Sequence, residues 1–448
     1  MNTHTNTCAN IHAKLRASTK QLLSFFIIFS LAFSTYSSVE AASGDLVYAK
    51  RFGDSGNDIA YAITTDASGN VYTTGQFQGT VDFDPGVGTT TLTADGGHDA
   101  FITKVDSSGN LVWAKSIRGT GTEIGYGIAL DSTGAVYTTG TVLGTADFDP
   151  GAGTFNIVPP GGQDIYISKL DANGDFVWAK VVGDSGATER TFGLVVDSSN
   201  YVYINGYFQN TTDFDPGAGT VSVASMGTYD VFVLKLDSSG GFMWVKTLGG
   251  TSEEWPSGFA VDSSNNIYTT GYTVGTADLD PGAGTTTVTA LSGSRNVFIS
   301  KLNSDGNFVW GKSLLSTSYI ESHAISTDNL GNVYTAGYFS GVTDFDPGVG
   351  TYNLTPTGAR STFISKLDAN GDFVWAKSLE SINSITGRSI DVDSEQNVFT
   401  GGYFASSTDF DPGVSTYTLD ATSINDMFIS KLNSSGNFVW AKAIGGNG

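Results

Sequence analysis

The sequence predicts an all-β fold made by repeating one antiparallel four-stranded unit, on three observations that share a single register. Trp113, Trp178, Trp244, Trp310, Trp375 and Trp440 stand 65, 66, 66, 65 and 65 residues apart, each in a version of Val-Trp-Ala-Lys. The motif Asp-Phe-Asp-Pro-Gly starts at Asp82, Asp147, Asp213, Asp344 and Asp409, with Asp278-Leu279-Asp280-Pro281-Gly282 as a variant. A lysine closes Phe-Ile-Ser-Lys or a relative of it at Lys104, Lys169, Lys235, Lys301, Lys366 and Lys431. Three markers in one phase define an internal repeat, and the repeat organises everything that follows.

The second unit shows the elements in order. Gly127 to Leu130 alternates and leads into a turn at Asp131-Ser132-Thr133-Gly134, and Ala135 to Gly140 follows. After the Asp-Phe-Asp-Pro-Gly loop come Asp164 to Leu170, a turn at Asp171 to Asp175, and Phe176 to Lys180. These segments are short, rich in β-branched and aromatic residues, and bounded by Gly, Asp, Asn and Ser, so they read as strands A, B, C and D. Thr89 to Ala94 and its equivalents predict a short fifth strand between B and C. No helical periodicity of useful length follows residue 41. Antiparallel four-stranded units repeated radially describe a β-propeller, which leaves few sheet edges open to other chains. Six sets of A-B-C-D follow one additional D-type strand at Leu46 to Arg51. Six blades are expected, with seven blades or a truncated array as the alternatives.

Residues 1–41 differ from the remainder. Lys14, Arg16 and Lys20 precede the apolar run Leu22 to Phe33, and small residues lead to Ala41. That order predicts a secretory signal peptide over 1–41, with 42–448 as one domain. The apolar run is shorter than the ~20 residues that span a bilayer. A secreted or cell-surface protein with no transmembrane span after cleavage, and monomeric, is expected. Cys8 is the one cysteine and lies in the leader, so disulfides and thiol chemistry are excluded from the domain. The formal net charge of −22 argues against nucleic acid as a partner.

The combination Asp-x-x-Gly-Asn-Val-Tyr-x-Thr-Gly, Phe-Ile-Ser-Lys-Leu-Asp-x-x-Gly and Trp-Ala-Lys resembles the bacterial seven-bladed β-propeller (SBBP) repeat. The resemblance runs from about Gly44 to Gly446. It implies an exported or cell-surface propeller and supplies no shared catalytic residues. The Asp-Phe-Asp-Pro-Gly segment is an insert that lengthens each unit beyond the plain repeat.

Alternation of strand direction puts the B–C and D–A loops on one face of the molecule. Each B–C loop brings two carboxylates at spacing i, i+2: Asp82/Asp84, Asp147/Asp149, Asp213/Asp215, Asp278/Asp280, Asp344/Asp346 and Asp409/Asp411. Such pairs could hold calcium through hard oxygen ligands. They serve equally as Asx-turns, with Phe plugging a gap between blades, and strict repetition favours that structural role. The D–A loops vary from unit to unit, as recognition surfaces on a constant scaffold do. Glu189, Arg190, Glu253, Glu254, Trp255, Tyr319, Glu321 and Arg388 are the candidate ligand-binding residues there, facing an unknown protein or glycan. Trp255 stands outside the repeat register and could stack on a sugar or shield a blade rim. The repeat tryptophans are expected in the blade core, with the lysines offsetting nearby aspartates. Of the histidines, His98 and His323 alone lie beyond the leader, in different units, and no catalytic centre is recognisable. A non-enzymatic scaffold is expected, ahead of a calcium-dependent surface protein and a carbohydrate-active enzyme built on a carboxylate pair.

Overall fold

A computed structural model describes residues 47–445 apart from 55, 187 and 292. The expected leader lies outside the described residues. Among the described residues every regular element is a β-strand, and the strands assemble into antiparallel four-stranded sheets ordered A-B-C-D, an arrangement consistent with a β-propeller. Six such sets follow one another. Their A strands are Ile59–Thr65, Thr122–Leu130, Glu189–Val196, Glu253–Val261, Ile320–Thr327 and Ser384–Val392. In the second sheet these are followed by B at Val136–Leu143, C at Asp164–Leu170 and D at Phe176–Val182.

The Asp-x-x-Gly turns form for a local reason. Asp131 Oδ1 accepts hydrogen bonds from the backbone N–H of Thr133 and of Ala135, at 2.9 and 3.0 Å. Its Oδ2 accepts from the Tyr137 hydroxyl at 3.1 Å and faces Lys169 Nζ at 3.3 Å. One carboxylate therefore holds the A–B turn, the B strand and the C-strand lysine together, which is why the three residue types recur in phase. The expectation that the lysines offset aspartates corresponds to this contact, and Lys169 also lies 4.6 Å from the centre of the Tyr137 ring.

Two expectations change in detail. Thr89 to Ala94 contributes half of a hairpin rather than a lone fifth strand: Thr80–Asp82 pairs with Thr91–Thr93. In the second, fourth, fifth and sixth units that hairpin pairs with the end of the preceding sheet's D strand, as at Arg118↔Asp147 and Gly119↔Ala146. Trp113, Trp178, Trp244 and Trp375 pack against the apolar clusters, with Trp310 buried in one, and these tryptophans also reach across the seams between sheets. Trp178 Nε1 donates to the Ser238 carbonyl in the next unit at 3.2 Å, Trp310 to Ala369 at 3.1 Å and Trp375 to Ser434 at 3.3 Å. The ring lies over the glycine of the next C–D turn, where a Cβ on Gly240 would come within 3.2 Å of the Trp178 ring. That glycine has φ +80, so the turn needs it as well.

Each sheet's A strand packs against the A strand of the sheet that follows it, and the apolar clusters bridge neighbouring sheets. No comparable packing joins the sixth sheet to the first among the described residues. Residues 47–51 form no strand there, yet Tyr48 and Lys50 lie against Gly109 as Trp113 and Lys115 lie against Gly174. The N-terminal segment thus occupies the place of a D strand ahead of the first sheet. Phe83, Phe148, Phe214, Leu279, Phe345 and Phe410, the central residues of the repeated acidic motif, are all fully buried.

Candidate functional site

Six inner strands carry the same irregularity. The A–B register shifts between Ala60 and Ala62, Gly125 and Gly127, Thr191 and Gly193, Pro256 and Gly258, Ser322 and Ala324, and Gly387 and Ser389. The residue inside each bulge is Tyr61, Tyr126, Phe192, Ser257, His323 or Arg388. Opposite every bulge the B strand has a glycine, at Gly75, Gly140, Gly206, Gly271, Gly337 and Gly402. A Cβ on Gly271 would sit 2.0 Å from the Trp255 carbonyl oxygen, so the bulge requires the glycine. A β-bulge re-aims a side chain. Here all six bulged residues line one cavity of about 360 Å³, joined by Arg190, Trp255, Tyr272, Arg295, Glu321 and Ser322.

The cavity has two characters. Sheets one to four contribute an aromatic wall. Trp255 lies parallel to Tyr272, with an interplanar angle of 6° and ring centres 6.4 Å apart. Tyr207 and Phe192 complete the wall, with their ring centres 4.6 and 5.6 Å from that of Trp255. The far side is polar. Arg388 donates to the Tyr403 hydroxyl at 3.1 Å and lies 3.4 Å from His323 Nδ1. Burial, with Arg388 and Arg360 adding repulsion, lowers the His323 pKa to about 3, so the ring is neutral at pH 7. Its Nε2 is buried without a hydrogen-bond partner.

The arginines differ in their partners. Arg295 forms an ion pair with Glu321 and stacks on Tyr272, 4.2 Å from the ring centre. Arg190 lies over Tyr126 and Phe192, at 4.4 and 5.0 Å, and its Nε is buried without a partner. Among the described residues neither Arg190 nor Arg388 is in an ion pair with a carboxylate. Two uncompensated guanidiniums in one cavity are conspicuous in a chain of net charge −22.

The candidates taken from the variable loops turn out to lie mostly on strands. Glu189 and Glu253 open their A strands, Arg190, Glu254 and Glu321 stand second in theirs, Trp255 third and Arg388 fifth. The D–A connections are shorter than the sequence suggests because each strand continues to the bulge. Arg190, Trp255, Glu321 and Arg388 face the cavity. Glu253 accepts a 2.6 Å hydrogen bond from the Tyr272 hydroxyl. Tyr319 is exposed, with Arg295 over its ring. Glu189 and Glu254 are buried behind the wall, and burial raises their carboxyls to about 8 and about 7. The reading of the loops did not single out Tyr61, Tyr126, Phe192, Ser257, His323 and Tyr272 as a group. The signal was present: each bulged residue stands fourteen positions before the glycine of Tyr-x-x-Gly, or of Phe399-x-x-Gly402 in the sixth unit.

The acidic loops are organised by hydrogen bonds to their own backbones. The first aspartate of each pair ties the loop to itself. Asp82 Oδ1 accepts from Asp84 N–H and Thr90 N–H at 3.0 and 2.8 Å. Asp147, Asp213, Asp278, Asp344 and Asp409 accept the same two bonds, from the N–H groups two and eight residues on. The second aspartate closes the Pro-Gly turn. Asp84 Oδ1 accepts from Gly86 N–H at 2.8 Å. Asp149 accepts from Gly151, Asp215 from Gly217, and Asp280 from Gly282, each at 2.8 Å. Asp346 accepts from Gly348 and Asp411 from Gly413, again at 2.8 Å. Asp84, Asp149, Asp215, Asp280, Asp346 and Asp411 each close an Asx-turn through Oδ1. The N–H donors lie within the same loop and engage one oxygen of each carboxylate. Among the described residues no group of three or more His, Cys, Asp or Glu is arranged to hold a metal ion, and no helix is long and apolar enough to cross a membrane.

Comparison with known proteins agrees with the repeat. An uncharacterized WD repeat-containing protein, L264, of Acanthamoeba polyphaga mimivirus is 24% identical over 90% of this chain and 34% of its own length. The regulatory protein FlaEY of Caulobacter vibrioides is 26% identical over 39% of this chain and 18% of its own. The chain therefore spans about a third or less of these curated relatives. Among solved structures, a protein of unknown function from Bacteroides caccae gives a TM-score of 0.25 at 12% identity, covering 62% of this chain and 89% of that one. The extracellular domain of a putative hybrid two-component system from B. thetaiotaomicron gives 0.23 at 11%, covering 87% and 59%. The SBBP family, described as a beta-propeller repeat, matches residues 47–76 and 244–278, and these two matches support that family for this chain.

Proposed function

We propose that this protein is a non-enzymatic, exported binding scaffold, a propeller of six blades with the N-terminal segment at its seam, which holds an anionic glycan in the central cavity. One observation supports this most. The same bulge in six inner strands turns six side chains of five kinds into one cavity, where Arg190 and Arg388, neither held by a carboxylate among the described residues, face the Trp255/Tyr272 wall. Stacked aromatic faces accept a sugar ring, and guanidiniums recognise carboxylate through paired N–H donors. Neutral His323 adds a hydrogen-bonding edge that an anion does not have to discharge. Glu321 is engaged by Arg295, so the cavity has little to offer as a proton-transfer pair. The relatives built from propeller and WD repeats suit a scaffold in the same way.

The test is calorimetric titration with oligosaccharides of uronic acids and with their neutral counterparts. Binding of the acidic sugars alone is expected, weakening with salt. Arg388→Ala should reduce affinity about tenfold or more, as loss of a charge-assisted hydrogen bond of about 1.5–3 kcal/mol would. Trp255→Ala should reduce it comparably. Equal binding of neutral and acidic sugars, or affinity indifferent to both substitutions, would refute the reading.

A further inference from the structure

Each seam between consecutive sheets is pinned in one way. The residue preceding strand C forms a parallel bridge to the next sheet's A strand, as at His98↔Thr122, Tyr229↔Glu253, Arg295↔Tyr319 and Arg360↔Ser384. The bond from Glu123 N–H to the His98 carbonyl, at 2.8 Å, is repeated from Glu189 to Gln163, Glu254 to Tyr229 and Ile385 to Arg360. The first residue of strand C is thereby set beside one position of the next A strand. Along the chain the paired residues are Asp99/Glu123, Asp164/Glu189, Asp230/Glu254, Asn296/Ile320 and Ser361/Ile385.

The five seams differ in how their polar atoms are satisfied. At the third, Asp230 accepts from Met226 and Gly227 N–H, and Glu254 from Gly250 N–H and Thr273 Oγ1. At the fourth and fifth the A-strand residue is an isoleucine. The first two seams hold two carboxyl groups each and leave them short of donors. Asp99, Glu123, Asp164 and Glu189 are all 0% exposed. Asp99 Oδ1, both Glu123 oxygens, Asp164 Oδ1 and Glu189 Oε2 have no hydrogen-bond partner. Asp99 Oδ2 accepts from Asp95 N–H, Asp164 Oδ2 from Gly161 N–H, and Glu189 Oε1 from Thr212. None of the four is in an ion pair among the described residues.

Buried anionic oxygens without donors are costly, and paired acids usually need either a cation or a proton between them. The backbone makes room for them: a Cβ on Gly119 would lie 2.6–2.7 Å from the Glu123 carboxyl atoms, and one on Gly183 2.1 Å from Asp164 Oδ1. The exposed stretch Asp95-Gly96-Gly97 is tied to the first pair by the bond from Asp95 N–H to Asp99.

We infer that the first and second seams each bind one calcium ion, bridged between Asp99 and Glu123 and between Asp164 and Glu189. Carboxylate oxygens are hard ligands, and Ca²⁺ tolerates the irregular mixture of carboxylate, carbonyl and water that a seam supplies. These sites are separate from the Asp-x-Asp-Pro-Gly loops, whose Oδ1 atoms are bound by backbone N–H groups, and from the central cavity. An ion here clamps adjacent sheets together on one side of the molecule only.

The experiment is calcium titration by calorimetry on the exported chain after exhaustive chelation, followed by thermal unfolding. Two ions per chain are expected, with dissociation constants of about 0.1–1 mM, the range of extracellular modules. Glu123→Gln and Glu189→Gln should each remove one ion from the stoichiometry, and Glu254→Gln should remove none. In chelator the two Gln variants should melt no lower than the parent, because burial favours the neutral carboxyl at both positions and Gln matches it in size. That result also certifies that they fold. No uptake by the parent, or two ions retained by the double Gln variant, would overturn the inference. The first result would assign each pair a proton, and the second would move calcium to the repeated acidic loops.

Discussion

The outer strands and the inner strands of this protein follow opposite rules. On the outside, Trp178, Trp310 and Trp375 make one bond to the next unit, and Phe83, Phe148, Phe214, Phe345 and Phe410 fill one kind of site. On the inside, one backbone irregularity recurs six times, but the residue it presents changes from Tyr61 and Tyr126 to Phe192, Ser257, His323 and Arg388. The outer layer repeats side chains because every seam has the same shape to fill. The inner layer repeats only a backbone, because the side chains there face a cavity and not a neighbour of fixed form. Repetition therefore marks packing, and variation on a repeated backbone marks the surface free to recognise something.

Three measurements would break or sharpen that contrast. The largest effect should come from Phe214→Ala, which empties a fully buried site in the outer repeated layer. A loss of about 3–5 kcal/mol in chemical denaturation is expected, and a much smaller loss would mean that the repeated phenylalanine is not a packing residue. A pH effect of up to about 2 kcal/mol between pH 7 and pH 5 should follow from His323 on the inner face. Its folded pKa of about 3 lies below the unfolded value near 6.5, so the unfolded chain takes up the proton first and stability falls as the solution is acidified. Buried acids such as Glu254, raised to about 7, oppose this trend. The comparison is therefore made against His323→Gln, whose stability should fall less on acidification; parallel pH profiles would remove His323 from the cavity's electrostatics. Gly271→Ala should cost about 1–3 kcal/mol by driving a methyl group into the Trp255 carbonyl. It should also weaken acidic-sugar binding by displacing Ser257 and Trp255. Full stability with full binding would show that the bulge needs no glycine.

The acidic loops and the seams satisfy their carboxylates in different ways. Asp82 and Asp84 share the i, i+2 spacing of a cation site, yet their Oδ1 atoms are bound by the N–H groups of Asp84, Thr90 and Gly86. Asp149, Asp215, Asp346 and Asp411 likewise accept through Oδ1 from the glycine two residues on. The carboxylates short of donors are elsewhere, at Asp99, Glu123, Asp164 and Glu189. These come from different units and lie together only because His98 bridges to Thr122, and Gln163 accepts from Glu189. Spacing within one segment reports on local turns, whereas the groups left unsatisfied were assembled across a seam.

By itself the sequence determined the strands, their antiparallel order and the unit length, since alternation, Asp-x-x-Gly turns and a fixed tryptophan phase are local signals read within a few residues. It also placed Arg190, Trp255, Glu321 and Arg388 in the part of each unit that varies. Tertiary structure alone decided that these lie on strands with Tyr61, Tyr126, Phe192, Ser257 and His323 around one cavity. It likewise decided that the tryptophans stitch seams and that Asp99 meets Glu123. The physical reason is the same in each case: the bulge and the seam are set by backbone pairing between strands far apart in the chain. A side chain's direction there depends on a partner that its own neighbours do not encode.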